Sequence, residues 1–325
     1  MRQVPLEAFL TALEGLLKRG VKQFKFVDRT FNLNVRTSRD ILEFLLARYE
    51  DGLFFHFEMV PDRLPEGLRE VITRFPAGAL QFEVGIQTFN PEVGSLIKRR
   101  QDYARLEENL HFLRQNTRVH VHADLIAGLP GESWESFGAG FDRLIALRPQ
   151  EIQVGILKRL RGTPISRHDG EWAMIYNPQP PFEILQNKLI NFEDMQRLRR
   201  FARYWDLLGN SGNFIESTIL LLKIDESKGS AFAAFMAWSE WLHRQIGRTD
   251  SIALVRLSEL LFQYLTDERS LDTHTIAAAL WRDYQRGGRD DKPAFLRHFL
   301  PGQPVGTRKS QDSRGIPKCQ ARHLG

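Results

Sequence analysis

The sequence predicts an α/β fold with a mostly parallel sheet, wound either as an open sheet or as a full or partial (β/α) barrel, followed by an all-α region. Three observations predict it. Over residues 5–157 short aromatic and β-branched runs alternate with helical patterns, which requires crossover connections between parallel strands. After residue 182 helical periodicity stands alone. Acidic and amide residues recur late in the apolar runs, where sheets of this kind collect their chemistry.

The elements follow in order. Leu6, Phe9, Leu10, Leu13, Leu16 and Leu17 repeat at helical spacing and Gly20 supplies the stop. Val21–Val27 reads as a buried strand running into the polar cluster Asp28-Arg29-Thr30, and Ser38 as the cap of a helix over Asp40–Ala47. Leu53–Val60 is an aromatic-rich strand stopped by Pro61, and Glu66–Phe75 a helix. The alternation continues with strand Leu80–Gln87, helix Glu92–Arg114, strand Val119–Leu125, helix Trp134–Leu147 and strand Ile152–Leu157. Pro178, Pro180 and Pro181 mark a linker. Helical patterns then cover Phe192–Leu208, Ser211–Leu222, Gly229–Ile246, Ser251–Tyr264 and Asp272–Gln285, with Trp205, Trp238, Trp241 and Trp281 read as core or interface. The expected division is 1–170 for the barrel core, 171–182 for the linker, 183–300 for the helical domain and 301–325 for a basic tail, mobile or docked late.

Composition narrows the function classes. With 42% apolar and 26% charged residues in 325, the chain is neither disordered nor fibrous. The net charge of +5 is spread along the length, so a nucleic-acid partner is not expected. No apolar run approaches the ~18 residues a bilayer requires, and the opening helix carries Glu7 and Glu14, unlike a secretion signal. The single cysteine, Cys319, excludes a disulfide framework and an all-cysteine metal site built from this chain, and fits a reducing, cytoplasmic setting.

Asp28, Glu58, Gln87 and Asp124 fall late in their strands. A carboxylate inside an apolar strand costs several kcal/mol unless it is paired or faces a polar cavity, and convergence on one ligand would account for all of them. Each also has a plainer reading. Asp28 is equally a turn residue, and Glu58 equally a partner for Arg63. Glu83 alternates with Gly85 and Gln87 and could face the helices. His120 and His122 share one strand face without a third ligand, which reads as core or helix-facing rather than as a metal site; no metal site is expected.

Two stretches are more specific: Phe82-Glu83-Val84-Gly85-Ile86-Gln87-Thr88-Phe89-Asn90 with Lys98-Arg99-Arg100 after it, and Asp124-Leu125-Ile126-Ala127-Gly128-Leu129-Pro130-Gly131-Glu132. Together they resemble the radical S-adenosylmethionine superfamily, in the branch of the oxygen-independent coproporphyrinogen oxidases and the cobalamin-binding radical enzymes, over about Val21–Ile165. The resemblance implies a partial, TIM-like barrel. It gives Glu58 to the amino group of S-adenosylmethionine, Gln87 to its methionyl part, Arg99 to the substrate carboxylate, Asp124 to the ribose hydroxyls, and Gly128 to a turn under the adenine. On chemistry alone, an amino group takes a carboxylate, a carboxylate takes arginine and a ribose diol takes aspartate. The basic loop Lys158–Pro164 closes the fifth strand as in relatives, or is simply solvated.

The resemblance also implies a [4Fe–4S] cluster on a Cys-xxx-Cys-xx-Cys loop after the first strand and, in one branch, a preceding cobalamin domain. The sequence holds no such cysteine motif. The expectation is therefore a chain truncated at its amino end, missing the first strand of its barrel, inactive as it stands. Its full-length parent would be a radical enzyme acting on an unknown substrate, with methyl transfer among the reactions that suit the cobalamin branch. A non-catalytic binding or scaffold protein is the alternative, and an RNA-modifying protein a weaker third. No catalytic residue is assigned. The helical region resembles an uncharacterised segment that follows the radical domain in cobalamin-binding relatives.

Overall fold

The computed structural model describes residues 4–28, 30–222, 229–300 and 318–323. Five parallel strands form one sheet in the order β1 (Gln23–Lys25), β2 (Phe54–Met59), β3 (Leu80–Gln87), β4 (His120–Ala127) and β5 (Glu151–Ile156). The crossovers are α2 (Val35–Leu46), α3 (Glu66–Thr73), α4 (Pro91–Leu96) with α5 (Tyr103–Asn116), and α6 (Trp134–Leu147), while α1 (Leu6–Lys18) precedes β1. This is the partial α/β barrel that the alternation of runs predicts.

Period-two alternation divides the sheet into two unlike faces. Phe55, Phe57, Phe82, Val84, Ile86, Val121, Ala123, Leu125, Ile152 and Val154 are buried in the apolar core on one side. The positions between them, from Lys25 on β1 to Gln153 on β5, are mostly polar and range from the buried His56 and His120 to the exposed Lys25 and Gln153. Register sets these polar positions in cross-strand rows, with Glu58 opposite Glu83, Glu83 opposite His122, and Gly85 opposite Asp124.

Several local readings change. The helix beginning at Val35 is capped by the Asn34 side chain, and Ser38 lies inside it, bonding back to the Asn34 and Phe31 carbonyls. The single helix expected over Glu92–Arg114 is two helices. The chain turns between Leu96 and Tyr103, where Lys98 takes φ 57°, and Asp102 caps the second helix by accepting from Arg105 N. The segment expected as a linker is instead a hairpin of β6 (Ile175–Tyr176) and β7 (Ile184–Gln186) laid on the end of β5, where Ile184 N donates to the Leu157 carbonyl. Ile184 of β7 is fully buried, whereas Ile175 of β6 is exposed.

The helical region comprises α7 (Phe192–Leu208), α8 (Ile215–Leu222), α9 (Ala231–Ile246), α10 (Leu254–Gln263) and α11 (Thr273–Arg286), and a short α12 (Lys318–His323) follows. A continuous apolar core joins this region to the sheet. At the junction Phe141 of α6 stands edge-on to Phe201 at 5.0 Å and to Trp205 at 4.9 Å, a favourable aromatic geometry. Residues 301–317 of the expected tail lie outside the described residues.

A buried carboxylate ties α11 to α8. Asp283, 1% exposed, accepts from Glu216 N at 3.0 Å, Ser217 N at 2.9 Å and Ser217 Oγ at 2.7 Å, capping the start of α8 from a distant helix. Asp283→Ala is expected to lower stability by about 2–4 kcal/mol, since it strands three buried donors. Urea unfolding followed by helical circular dichroism checks this; a loss under ~0.5 kcal/mol would remove the cap from the account.

Candidate functional site: a polar cradle at the strand ends

The polar face concentrates its charge toward the carboxyl ends of β2, β3 and β4. Asp124 lies on β4 with its Oδ1 buried and without a hydrogen-bond partner, 3.6 Å from His122 Nε2, itself buried and unpartnered. Burial, then Glu83, pushes the Asp124 carboxyl up to about 7, while Arg99 opposes the shift. Burial holds the His122 ring below its ordinary value. The two form an unsatisfied acid–base pair at the centre of the face.

Arg99 reaches this point because the helix breaks after Leu96. The turn is closed by Arg99 N donating to the Gly94 carbonyl at 2.7 Å, and the guanidinium folds back to donate through Nη2 to the Gly85 carbonyl. Gln101 Nε2 donates to the same carbonyl at 3.2 Å. Arg99 Nε is buried with no partner, and burial lowers the guanidinium's pKa against the pull of Asp124 and Asp62. Gly85 is what makes room. A Cβ there would come within 2.8 Å of Gln87 Nε2 and 3.0 Å of Arg99 Nη2.

Gln87 ends β3 at φ 72°, across a register shift between Gly85 and Gln87. A left-handed backbone costs a non-glycine residue on the order of 1–2 kcal/mol and turns the side chain out of the regular ladder. Glu58 sits on the same face, opposite Glu83 across β2 and β3, with no hydrogen bond or ion pair to any described residue, and its charge contributes to raising Asp124. The pairing of Glu58 with Arg63 considered from sequence is not formed.

Thus Glu58, Gln87, Arg99 and Asp124 share one face. Gly128 is placed differently. It takes φ 89°, and a Cβ on it would meet Ile184 Cγ2 at 2.6 Å and Met195 Cε at 3.0 Å, two fully buried side chains. The space on that side is filled by β7 and α7, so the glycine serves their close packing on the end of β4 rather than an open seat for adenine. Asp28 is a turn residue, accepting from Thr30 N at 3.1 Å and from Thr30 Oγ1. Lys158 pairs with Glu183 at 4.0 Å and Arg159 with Asp169 at 3.1 Å.

Three residues read from sequence as core or helix-facing lie on the polar face. Glu83 contacts His56 Nε2 at 3.0 Å and Lys25 Nζ at 3.7 Å, and the His56 hydrogen bond leads in holding the Glu83 carboxyl at about 2. His122 adjoins Asp124, and His120 pairs with Glu151 at 2.8 Å. Parity carried the missing signal. Once Gln87 and Asp124 are assigned to this face, period two places Glu83, Gly85, His120 and His122 beside them, and register adds His56. Among the described residues no cluster of three or more His, Cys, Asp or Glu side chains could hold a metal ion. No described helix is long and apolar enough to cross a membrane.

A parallel sheet with helices on one face and a row of polar side chains on the other defines a partial α/β barrel. Comparison with known proteins carries this further. Residues 1–144 match the radical SAM superfamily, and residues 170–309 match a family described as a protein of unknown function (DUF4080). The match over residues 1–144 supports the resemblance to the radical SAM superfamily read from the sequence.

The chain is 26% identical over 234 residues to the ribosomal protein uS12 methylthiotransferase RimO of Pelobacter propionicus, a match covering 68% of this chain and 50% of that protein. It is 30% identical over 112 residues to the oxygen-independent coproporphyrinogen III oxidase of Escherichia coli, covering 34% and 24%. It therefore spans about half, or about a quarter, of these relatives' lengths. Among solved structures, the radical S-adenosylmethionine methyltransferase TsrM of Kitasatospora setae, with cobalamin and a [4Fe-4S] cluster bound, aligns with TM-score 0.48 at 16% identity over 75% of this chain and 55% of that one.

Because the folded Asp124 carboxyl titrates well above its ordinary 3.8, the folded state binds the extra proton between about pH 4 and 7. Wild-type stability therefore falls as pH rises through that window, and an uncharged isostere escapes the penalty. Asp124→Asn is expected to raise the unfolding free energy at pH 8 by on the order of 2–4 kcal/mol, seen as a higher thermal midpoint, and to match wild type near pH 4. A constant difference at both pH values would deny that a buried, unpaired carboxylate stands there.

Proposed function

We propose that this chain is part of a radical S-adenosylmethionine enzyme and that the cradle of Glu58, Gln87, Arg99 and Asp124 holds the adenosyl ligand. One observation carries the reading: Asp124 Oδ1 and Arg99 Nε, both on ionisable side chains, are buried without a hydrogen-bond partner on the polar face of the sheet. Such groups cost folding free energy and are kept where a ligand completes them. Their types suit a zwitterion bearing a ribose. Asp124 would accept from the ribose hydroxyls, Arg99 would hold a carboxylate, Glu58 the ammonium, and Gln87 would donate or accept at the methionyl chain. The neutral His122 would keep Asp124 oriented.

In this superfamily an iron–sulfur cluster supplies the electron that cleaves the sulfonium. The residues here do not fit that group, because the 325 residues hold one cysteine where three thiolates are needed. No radical step is assigned to this chain alone. Cobalamin, an identified substrate and methyl or methylthio transfer belong to the proteins it resembles, and their extension to this one is part of the proposal. The single cysteine also favours a second reading, a binding protein that uses the same cradle without radical chemistry.

Without the iron that would chelate its amino and carboxylate groups, S-adenosylmethionine is expected to bind weakly, with Kd on the order of 0.1–1 mM. Saturation-transfer NMR should detect the complex, and Arg99→Ala and Asp124→Ala should each weaken it at least fivefold while circular dichroism stays unchanged. Equal binding by wild type and both variants would take the ligand out of this cradle.

A further inference from the structure

The polar face has a second end. At the amino-terminal foot of β3, β4 and β5 it is covered by α12, which lies beyond both matched segments. Gln320 of α12 is 1% exposed and donates through Nε2 to Gln81 Oε1. The His323 ring meets the His120 ring edge-on at 5.4 Å, and its Nε2 lies 3.3 Å from the Asn210 carbonyl oxygen. Arg322 Nη1 donates to the Ser211 carbonyl at 3.0 Å. His120 is in turn held by Glu151 at 2.8 Å. Among the described side chains of α12 the contacts are hydrogen bonds and an imidazole pair.

We propose that α12 is a plug that closes the foot of the polar face near neutral pH and leaves it in acid, with His120 and His323 as the gate. The half-buried His323 ring stands edge-on to the buried His120 ring, which already holds the Glu151 carboxylate, so a proton added to His323 finds that partner taken. The surrounding charges add to the bias. Glu151 on β5 and Asp206 on α7 are the nearby carboxylates, and Asp206 is pushed up by burial. Against them stand Arg322 on α12 and Arg286 on α11, while His122 on β4 already faces Glu151 and Glu83. Burial, then His120, holds His323 below its ordinary value in the docked state. Docking is therefore favourable above about pH 6.5, the free imidazole value, and weakens as pH falls through it.

With the plug seated, Gln320 and His323 cover Gln81 and His120 at the foot of β3 and β4. With it gone, water and solutes reach His120 and Gln81 from below. The proposal stands apart from the adenosyl reading, and its test uses no ligand.

Hydrogen–deuterium exchange on the full chain at pH 7.5 and 5.5, normalised to intrinsic exchange, reads it directly. In wild type the protection of residues 318–323 should fall at least tenfold at pH 5.5 while β3 and β4 stay protected. In His323→Gln, which keeps a donor for the Asn210 carbonyl but cannot titrate, protection should persist at both pH values. Equal wild-type protection at the two pH values, absence of protection at pH 7.5, or loss in His323→Gln at either pH would overturn the gate. Simultaneous loss across β3 and β4 would also overturn it, since acid would then be unfolding the sheet as a whole.

Discussion

A charged group on the face of a parallel sheet has to be solvated or partnered, and this constraint organises the molecule. Parallel sheets are ordinarily covered on both faces by apolar helices. Here one face is covered, and the other carries Lys25, His56, Glu58, Glu83, His122, Asp124 and Glu151. Most of these satisfy one another: Glu83 takes His56 and Lys25, and Glu151 takes His120. The exceptions are Asp124, His122 and Glu58, which share that face with the unpartnered Nε of Arg99, and a barrel of this kind places its ligand at the strand ends.

Backbone irregularities serve that gathering. The break between α4 and α5 turns Arg99 back over β3; the absent side chain at Gly85 gives its guanidinium a seat; the left-handed Gln87 ends the strand beside it. Gln87 and Lys98 both take left-handed backbone, and the two lie within one short segment. Strain concentrated beside unpartnered charge is the pattern of a preorganised site.

Much of this was legible in the sequence. Strand Leu80–Gln87 and helices Trp134–Leu147 and Phe192–Leu208 fall at the predicted bounds because their apolar periodicity is strong and their ends carry turn or capping residues. The resemblance pointed to residues that share one face. What it missed was governed by longer-range effects. The break after Leu96 is invisible to a helical pattern that resumes in phase at Tyr103. The hairpin at Ile175–Gln186 is held by a single buried side chain amid prolines. Glu83, His120 and His122 look ambiguous residue by residue and are fixed only by the register of their neighbours. Gly128 was read for a ligand, yet packing by Ile184 and Met195 explains it, and neither lies near it in sequence.

The central claim is that the unpartnered charges form a cradle for one adenosyl amino acid. A crystal of this chain soaked in S-adenosylmethionine at tens of millimolar, well above the expected Kd, tests it most directly. The account predicts density along the ends of β2 to β4, with ribose oxygens about 3 Å from Asp124 and the ligand carboxylate at Arg99. Density seated elsewhere, with only water over Asp124 and Arg99, would contradict it.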